Sequence, residues 1–253
     1  MIVLIPLGGT GERFKNAGYT QPKALITVDG KAILFWLLDE FCSNNKENLS
    51  KLKCVCIPYI PEYANENLEL QLEQRYSDLK FVFVALTGTT RGAAETVVIG
   101  LDEIGNTFPG YDGPVLCLDS DNFYTCDVLH TWGGRNCVFS FFDERPEAIF
   151  SYSKVNEDCQ ILEIKEKVKI SNYANCGGYG FSSMKTLHDF CSEVIERNIR
   201  DKDEFYISTV IGHMMENDEV FYIFQVANKD YFSLGTPQLV QEFERAFLLD
   251  LDG

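Results

Sequence analysis

Short apolar runs alternate with longer amphipathic ones from residue 1 to about residue 120, and few folds accommodate that alternation. Met1–Leu7, Lys53–Pro58, Lys80–Leu86 and Val115–Leu118 are short, apolar and bounded by glycine, proline or polar residues, as buried strands are. Between them Ala32–Cys42, Pro61–Tyr76 and Ala93–Ile104 read as helices, the second opened by its proline. Chains of this kind lay parallel strands under helices on both faces. The expected fold is therefore α/β: a Rossmann-like mixed, mainly parallel sheet flanked by helices.

After about residue 136 the spacing tightens. Cys137–Phe142, Ala148–Val155, Ile161–Ile164 and Cys176–Phe181 are strand-like, followed by helices at Ser183–Arg197 and Asp203–Glu216, a strand at Val220–Val226 and a helix at Pro237–Leu249 with Thr236 as its N-cap. No repeat or linker interrupts the chain, so residues 1–246 read as one domain. In open α/β sheets chemistry gathers beyond the carboxyl ends of the strands. Gly8–Arg13 and Asp119–Asn122 both follow strands, so the fold would bring them to one edge.

The net charge of −16 argues against nucleic acid and anionic membranes as partners. With 22 Lys and Arg against 38 Asp and Glu, any bound phosphate needs basic groups concentrated locally. The nine cysteines are scattered without a Cys-x-x-Cys pair, which suits neither a zinc site nor a disulfide framework and fits a reducing cytoplasm. The N-terminus has no basic leader or cleavage pattern, and no apolar run reaches the length of a membrane span. Self-association stays open.

Leu7-Gly8-Gly9-Thr10-Gly11-Glu12-Arg13 is the first chemical motif. Its glycines let backbone N–H groups approach an anion, and Arg13 adds a planar donor fork. Phe14 occupies the third glycine position of a dinucleotide fingerprint, and no Gly-Lys-Ser/Thr follows as in a P-loop. Alone, the loop is equally a tight strand-to-helix turn. A second motif, Leu116-Cys117-Leu118-Asp119-Ser120-Asp121-Asn122, puts two carboxylates past a buried strand, which suits a hard cation such as Mg2+ or a solvated acidic turn.

Gly-Gly-x-Gly-x-Arg, then Pro22-Lys23 and Gly30-Lys31, resembles the signature of the sugar-phosphate nucleotidyltransferases. Arg91-Gly92-Ala93, Asp121-Asn122, Glu166-Lys167, Ser171-Asn172-Tyr173-Ala174 and Gly235-Thr236-Pro237 extend the likeness over roughly residues 2–245. Asp-x-Asp-Asn looks more like the bacterial choline-phosphate cytidylyltransferase branch. The resemblance implies that Leu7, Gly8, Gly9, Thr10 and Gly11 wrap a triphosphate while Arg13 and Lys23 stabilise the α-phosphate and leaving pyrophosphate. Gly92 and Ala93 would lie under base and ribose, with Asp119 also at the nucleotide. Asp121 would hold magnesium; Glu166, Lys167, Asn175 and Gly177 would receive a phosphorylated acceptor. The family's second metal-binding aspartate is Ser233 here, and Asp119 or Asp230 could stand in for it.

The activity implied is transfer of a nucleotide from an NTP, with CTP favoured, to a phosphorylated sugar or other small acceptor, with pyrophosphate released. A glycosyltransferase of the same fold and a nucleotide-binding homologue with reduced catalysis are the alternatives. Phe247–Gly253 resembles the opening of a haloacid-dehalogenase-type phosphatase domain, and equally a helix running into a polar tail.

Overall fold

The computed structural model describes residues 1–251 except Lys202, with side chains described through Arg245. The first half supplies β1 (Ile2–Leu4), α1 (Glu12–Asn16), β2 (Thr27–Val28), β3 (Lys31–Ala32), α2 (Ile33–Asn44), β4 (Cys54–Tyr59), α3 (Pro61–Asn65), α4 (Leu68–Arg75), β5 (Phe81–Ala85), α5 (Ala93–Thr107) and β6 (Val115–Leu118). The second half adds β7 (Asn122–Tyr124), α6 (Val128–Trp132), β8 (Cys137–Phe142), β9 (Ser151–Val155), β10 (Ile161–Glu166), β11 (Tyr173–Phe181), α7 (Met184–Glu196), α8 (Ile207–Glu216), β12 (Tyr222–Gln225), β13 (Tyr231–Ser233) and α9 (Pro237–Leu251).

One nine-stranded sheet runs β10-β9-β11-β6-β1-β4-β5, with β8 also pairing with β11 and β12 with β8. Strands β6, β1, β4 and β5 are mutually parallel, as the alternating pattern requires. The later, closely spaced strands join antiparallel: β11 pairs with β6, β8 and β9. Successive residues of β1 face opposite sides of the sheet. Val3 and Ile5 enter the core under α2, while Ile2 and Leu4 enter the core under α5, α7 and α8. Burial on both faces explains why the strand is apolar at every position. All nine cysteines are free thiols.

Three local differences from the sequence pattern have physical causes. Residues 61–76 form two helices because Asn67 takes a left-handed conformation (φ 55°) between them. Asp203–Tyr206 is not the start of α8. Phe205 instead donates its N–H to Arg91 O (3.1 Å) and accepts from Ala94 N–H (3.0 Å), so long-range bonds take its backbone groups away from the helix. The short β7–β13 ribbon carries no alternation that would reveal it, since it pairs residues more than a hundred positions apart. Thr236 does cap α9, its hydroxyl accepting from Leu239 N–H (3.2 Å). The expectation for Phe247–Gly253 falls on side chains outside the described residues.

Candidate active site

The carboxyl ends of β1 and β6 open into a cavity of about 770 Å³. Leu7–Arg13, Lys23, Tyr63, Asp119, Asp121, Lys167 and Tyr206 all line it. Gly92 and Ala93 line it as well. The sheet edge thus brings together most of the residues picked out in the sequence, from segments far apart in the chain.

Two of the loop's three glycines have a steric or conformational reason. A Cβ on Gly8 would stand 2.2 Å from Thr96 Oγ1 and 2.7 Å from Thr90 Oγ1, two hydroxyls that are themselves 2.6 Å apart. Gly11 is left-handed (φ 66°) and precedes α1. Its Cβ position lies 3.0 Å from the Lys23 Cβ, so the loop packs directly on the lysine. Gly9 meets nothing within 4 Å. Arg13 is exposed on the cavity wall.

Lys23 sits in a single 3₁₀ turn, Lys23–Leu25, where Pro22 sets the entry. The turn is anchored by Ala24, whose N–H donates to the buried Tyr63 hydroxyl (3.1 Å). From there the Lys23 ammonium forms an ion pair with Asp121 Oδ2. Asp121 is held in turn by its own carbonyl, which accepts from Leu234 N–H (2.7 Å). Asp119 donates its N–H to Gly177 O (2.7 Å). Burial and the neighbouring Asp121 push the Asp119 carboxyl above the ordinary carboxylate range, with Lys23 pulling the other way.

Both carboxylates are walled by glycine. A Cβ on Gly177 would fall 2.7 Å from Asp119 Oδ2, and one on Gly235 2.6 Å from Asp121 Oδ2. Among the described residues no group of three or more His, Cys, Asp or Glu side chains converges. A hard cation here would therefore rest on Asp119 and Asp121 and take its other ligands from substrate oxygens and water. The donor set fits magnesium, which binds through one or two carboxylates plus phosphate. Ser233 is adjacent, its Oγ 3.6 Å from the same Gly235 Cβ position. Asp230 is at the other end of the ribbon, accepting from Thr125 Oγ1 (3.0 Å), and the fold does not bring it to the cavity.

The Lys167 ammonium, which also lines the cavity, donates to the Tyr206 hydroxyl (3.0 Å) and lies 3.6 Å from Glu166 Oε1. Burial works against the charge on Lys167, but Tyr206 and Glu166 hold its ammonium above the usual range. Glu166 accepts from Ser208 Oγ (2.8 Å), and burial lifts its carboxyl above the ordinary carboxylate range. Asn175 points elsewhere: its Oδ1 accepts from Ser140 (3.2 Å) and Ser153 (2.9 Å), and its Nδ2 donates to Ser151 (2.8 Å). It ties three strands together beneath the site rather than facing the cavity.

Gly92 also has a structural task. At φ 147° its Cβ position would be 2.5 Å from Phe205 N, so only glycine lets the Phe205 backbone cross there. Tyr63, Thr90, Arg200 and Tyr206 were not legible in the sequence as cavity residues. They have no motif of their own and reach the site only through the fold.

The sequence matches the model of the nucleotidyl transferase family over residues 2–243. The chain belongs to the nucleotidyl transferase family. Among curated proteins, none matches it significantly. Its fold is similar to that of a nucleoside-diphosphate-sugar pyrophosphorylase from Vibrio cholerae RC9, at TM-score 0.83 and 20% identity, covering 97% of this chain and 100% of that one. It is also similar to the CTP:phosphocholine cytidylyltransferase of Streptococcus pneumoniae (TM-score 0.73, 15% identity, 97% and 99% covered). A third likeness is to the inositol-1-phosphate CTP transferase of T. maritima (TM-score 0.70, 12% identity, 96% of both chains). No helix among the described residues is long and apolar enough to cross a membrane.

Proposed function

We propose that the chain joins a nucleoside monophosphate, from CTP in preference to other NTPs, to a small phosphorylated acceptor and releases pyrophosphate. The observation that carries this reading is one cavity lined by the glycine loop, Arg13, Lys23, Asp119, Asp121 and Lys167 together. Such a lining offers cationic groups to two anions.

An oxygen of the acceptor phosphate attacks the α-phosphorus; the bond to the β-phosphate oxygen breaks, and its electron pair leaves on pyrophosphate. The attacking oxygen is already anionic at neutral pH, so the chain need not supply a strong base. Catalysis is then positioning and charge neutralisation. The loop's N–H groups and Arg13 orient the triphosphate, Lys23 stabilises the charge growing on the bridging oxygen, and Lys167, steadied by Tyr206, receives the acceptor phosphate. Magnesium at Asp119 and Asp121 would neutralise phosphate charge when bound.

CTP and a sugar phosphate or phosphocholine-like acceptor are favoured by Asp119-Ser120-Asp121-Asn122 and by the substrates named for the structural relatives. The reading places the reaction in the cytoplasm. A pyrophosphate-release screen of four NTPs against sugar 1-phosphates and phosphocholine-like acceptors tests it. Release with CTP and one acceptor class is expected. Release with none of them, alongside consumption of an NDP-sugar, would instead make the chain a glycosyltransferase.

A further inference from the structure

Lys167 and Tyr206 both line the cavity, and their polar atoms are 3.0 Å apart, with the ammonium donating to the phenol oxygen. That direction decides what Tyr206 has left. Its oxygen is engaged as an acceptor, and among the described residues nothing accepts its proton. Burial favours the neutral phenol and raises its pKa above the ordinary value, although Lys167 pulls the other way. Tyr206 therefore brings one unused O–H donor to the cavity.

Lys167 also has a donor to spare. An ammonium carries three protons. Tyr206 takes one, and Glu166 Oε1, at 3.6 Å, attracts a second. Glu166 is itself fixed, its Oε2 accepting from Ser208 Oγ in the first turn of α8. One N–H of Lys167 and the O–H of Tyr206 thus stand side by side, a spacing that two oxygens of one phosphate can take.

We infer that the Tyr206 hydroxyl is itself a ligand of the acceptor phosphate, donating to one of its oxygens beside Lys167. The inference rests on the reaction proposed above and adds a binding residue to it.

The donor is held in place by the fold. Tyr206 is the N-cap residue of α8, and its carbonyl accepts from Val210 N–H (3.2 Å). The preceding Phe205 is fully buried and bonded through both backbone groups to Arg91 and Ala94. Its ring has the guanidinium carbons of Arg91 and Arg200 at 5.2 and 4.6 Å. The Lys167 ammonium lies 4.9 Å from the Tyr206 ring centroid, so the two side chains touch through more than the hydroxyl. A donor fixed in this way loses little freedom on binding, and a hydrogen bond to a charged oxygen is of the stronger kind.

The test is Tyr206→Phe in the whole chain, which removes the donor and keeps the ring; circular dichroism and thermal melting check that the fold is kept. Pyrophosphate release is followed with the NTP and acceptor that support turnover. If wild type releases none with any pair, the proposed reaction falls and this assignment with it. Given turnover, the KM for the acceptor should rise about ten-fold in the variant while that for the nucleotide stays within about two-fold. A phenol that only steadied Lys167 would give the same first result, so the substitution is repeated on Lys167→Ala. There kcat/KM for the acceptor, read from initial rates below saturation, should fall again by about three-fold or more. The absence of that second fall overturns the proposal. So does an unchanged acceptor KM in the single variant, or a nucleotide KM that rises as much as the acceptor's.

Discussion

The ammonium of Lys23 is paired with the carboxylate of Asp121, two residues 98 positions apart in the sequence. The pair joins the turn after the glycine loop to the turn after β6, so the glycine loop's neighbour Lys23 and the carboxylate of Asp121 form one electrostatic unit. A lysine in this position is well placed for charge that builds between the two. Lys23→Ala is expected to lower pyrophosphate release by about a hundred- to a thousand-fold. The fold should survive, because the side chain is only half-buried. Wild-type turnover in that variant would remove Lys23 from the mechanism.

Gly92 and Gly9 separate glycines that serve packing from those that do not. A methyl group on Gly92 would press into the backbone of Phe205, at a φ that other residues rarely adopt. Gly92→Ala should cost about 2–4 kcal/mol in denaturant unfolding and loosen the segment that carries Tyr206. Gly9→Ala adds its methyl to open space and should change stability by less than about 0.5 kcal/mol. Equal effects from the two would contradict the packing account.

Much of this was readable in the chain, because strand and helix periods and the order of motifs are local properties. The parallel half of the sheet and the shared edge of Gly8–Arg13 and Asp119–Asn122 follow from them, and the family resemblance implied the partnership of Lys23 with the loop. What the sequence concealed depends on contacts between distant residues. Tyr206 lies in a stretch that reads as helix until Phe205 is seen bonded to Arg91 and Ala94. Asn175 sits in a motif suggesting an acceptor ligand, yet three serines from β8 and β9 claim its amide.

Asn175 therefore invites a stability test. Asn175→Ala leaves Ser140, Ser151 and Ser153 to lose a shared partner inside the sheet. It should lower unfolding free energy by about 2–3 kcal/mol. The KM for the acceptor should move less than it does in Lys167→Ala. A large acceptor KM effect with unchanged stability would return Asn175 to the binding site.

Asp39 governs an acid-sensitive link between α2 and α4. Burial alone would raise its pKa, but bonds from Arg75, Lys31 and Tyr76 hold the carboxyl at about 2. The unfolded value is about 3.9. A depressed folded pKa stabilises the fold above the unfolded value, and the contribution is lost as pH falls from about 4 to about 2. Asp39→Asn should cost about 1–2 kcal/mol at neutral pH. Melting curves of variant and wild type should converge through that acid window; a constant gap would show that the charge is not what stabilises the link.

Ser233 marks the place where one more carboxylate would reach the side of Asp121. It lies beside Gly235, against which Asp121 packs. Ser233→Asp would add a third negative group to a pair in which Asp119 already resists ionisation. Without a cation the added repulsion should lower the melting temperature. With magnesium the extra ligand should lower the concentration needed for half-maximal turnover by about ten-fold. Calorimetric titration of magnesium into the nucleotide-free protein reads the same gain without relying on activity. If neither the melting temperature nor the magnesium requirement moves, the two carboxylates at Asp119 and Asp121 are not where the cation binds.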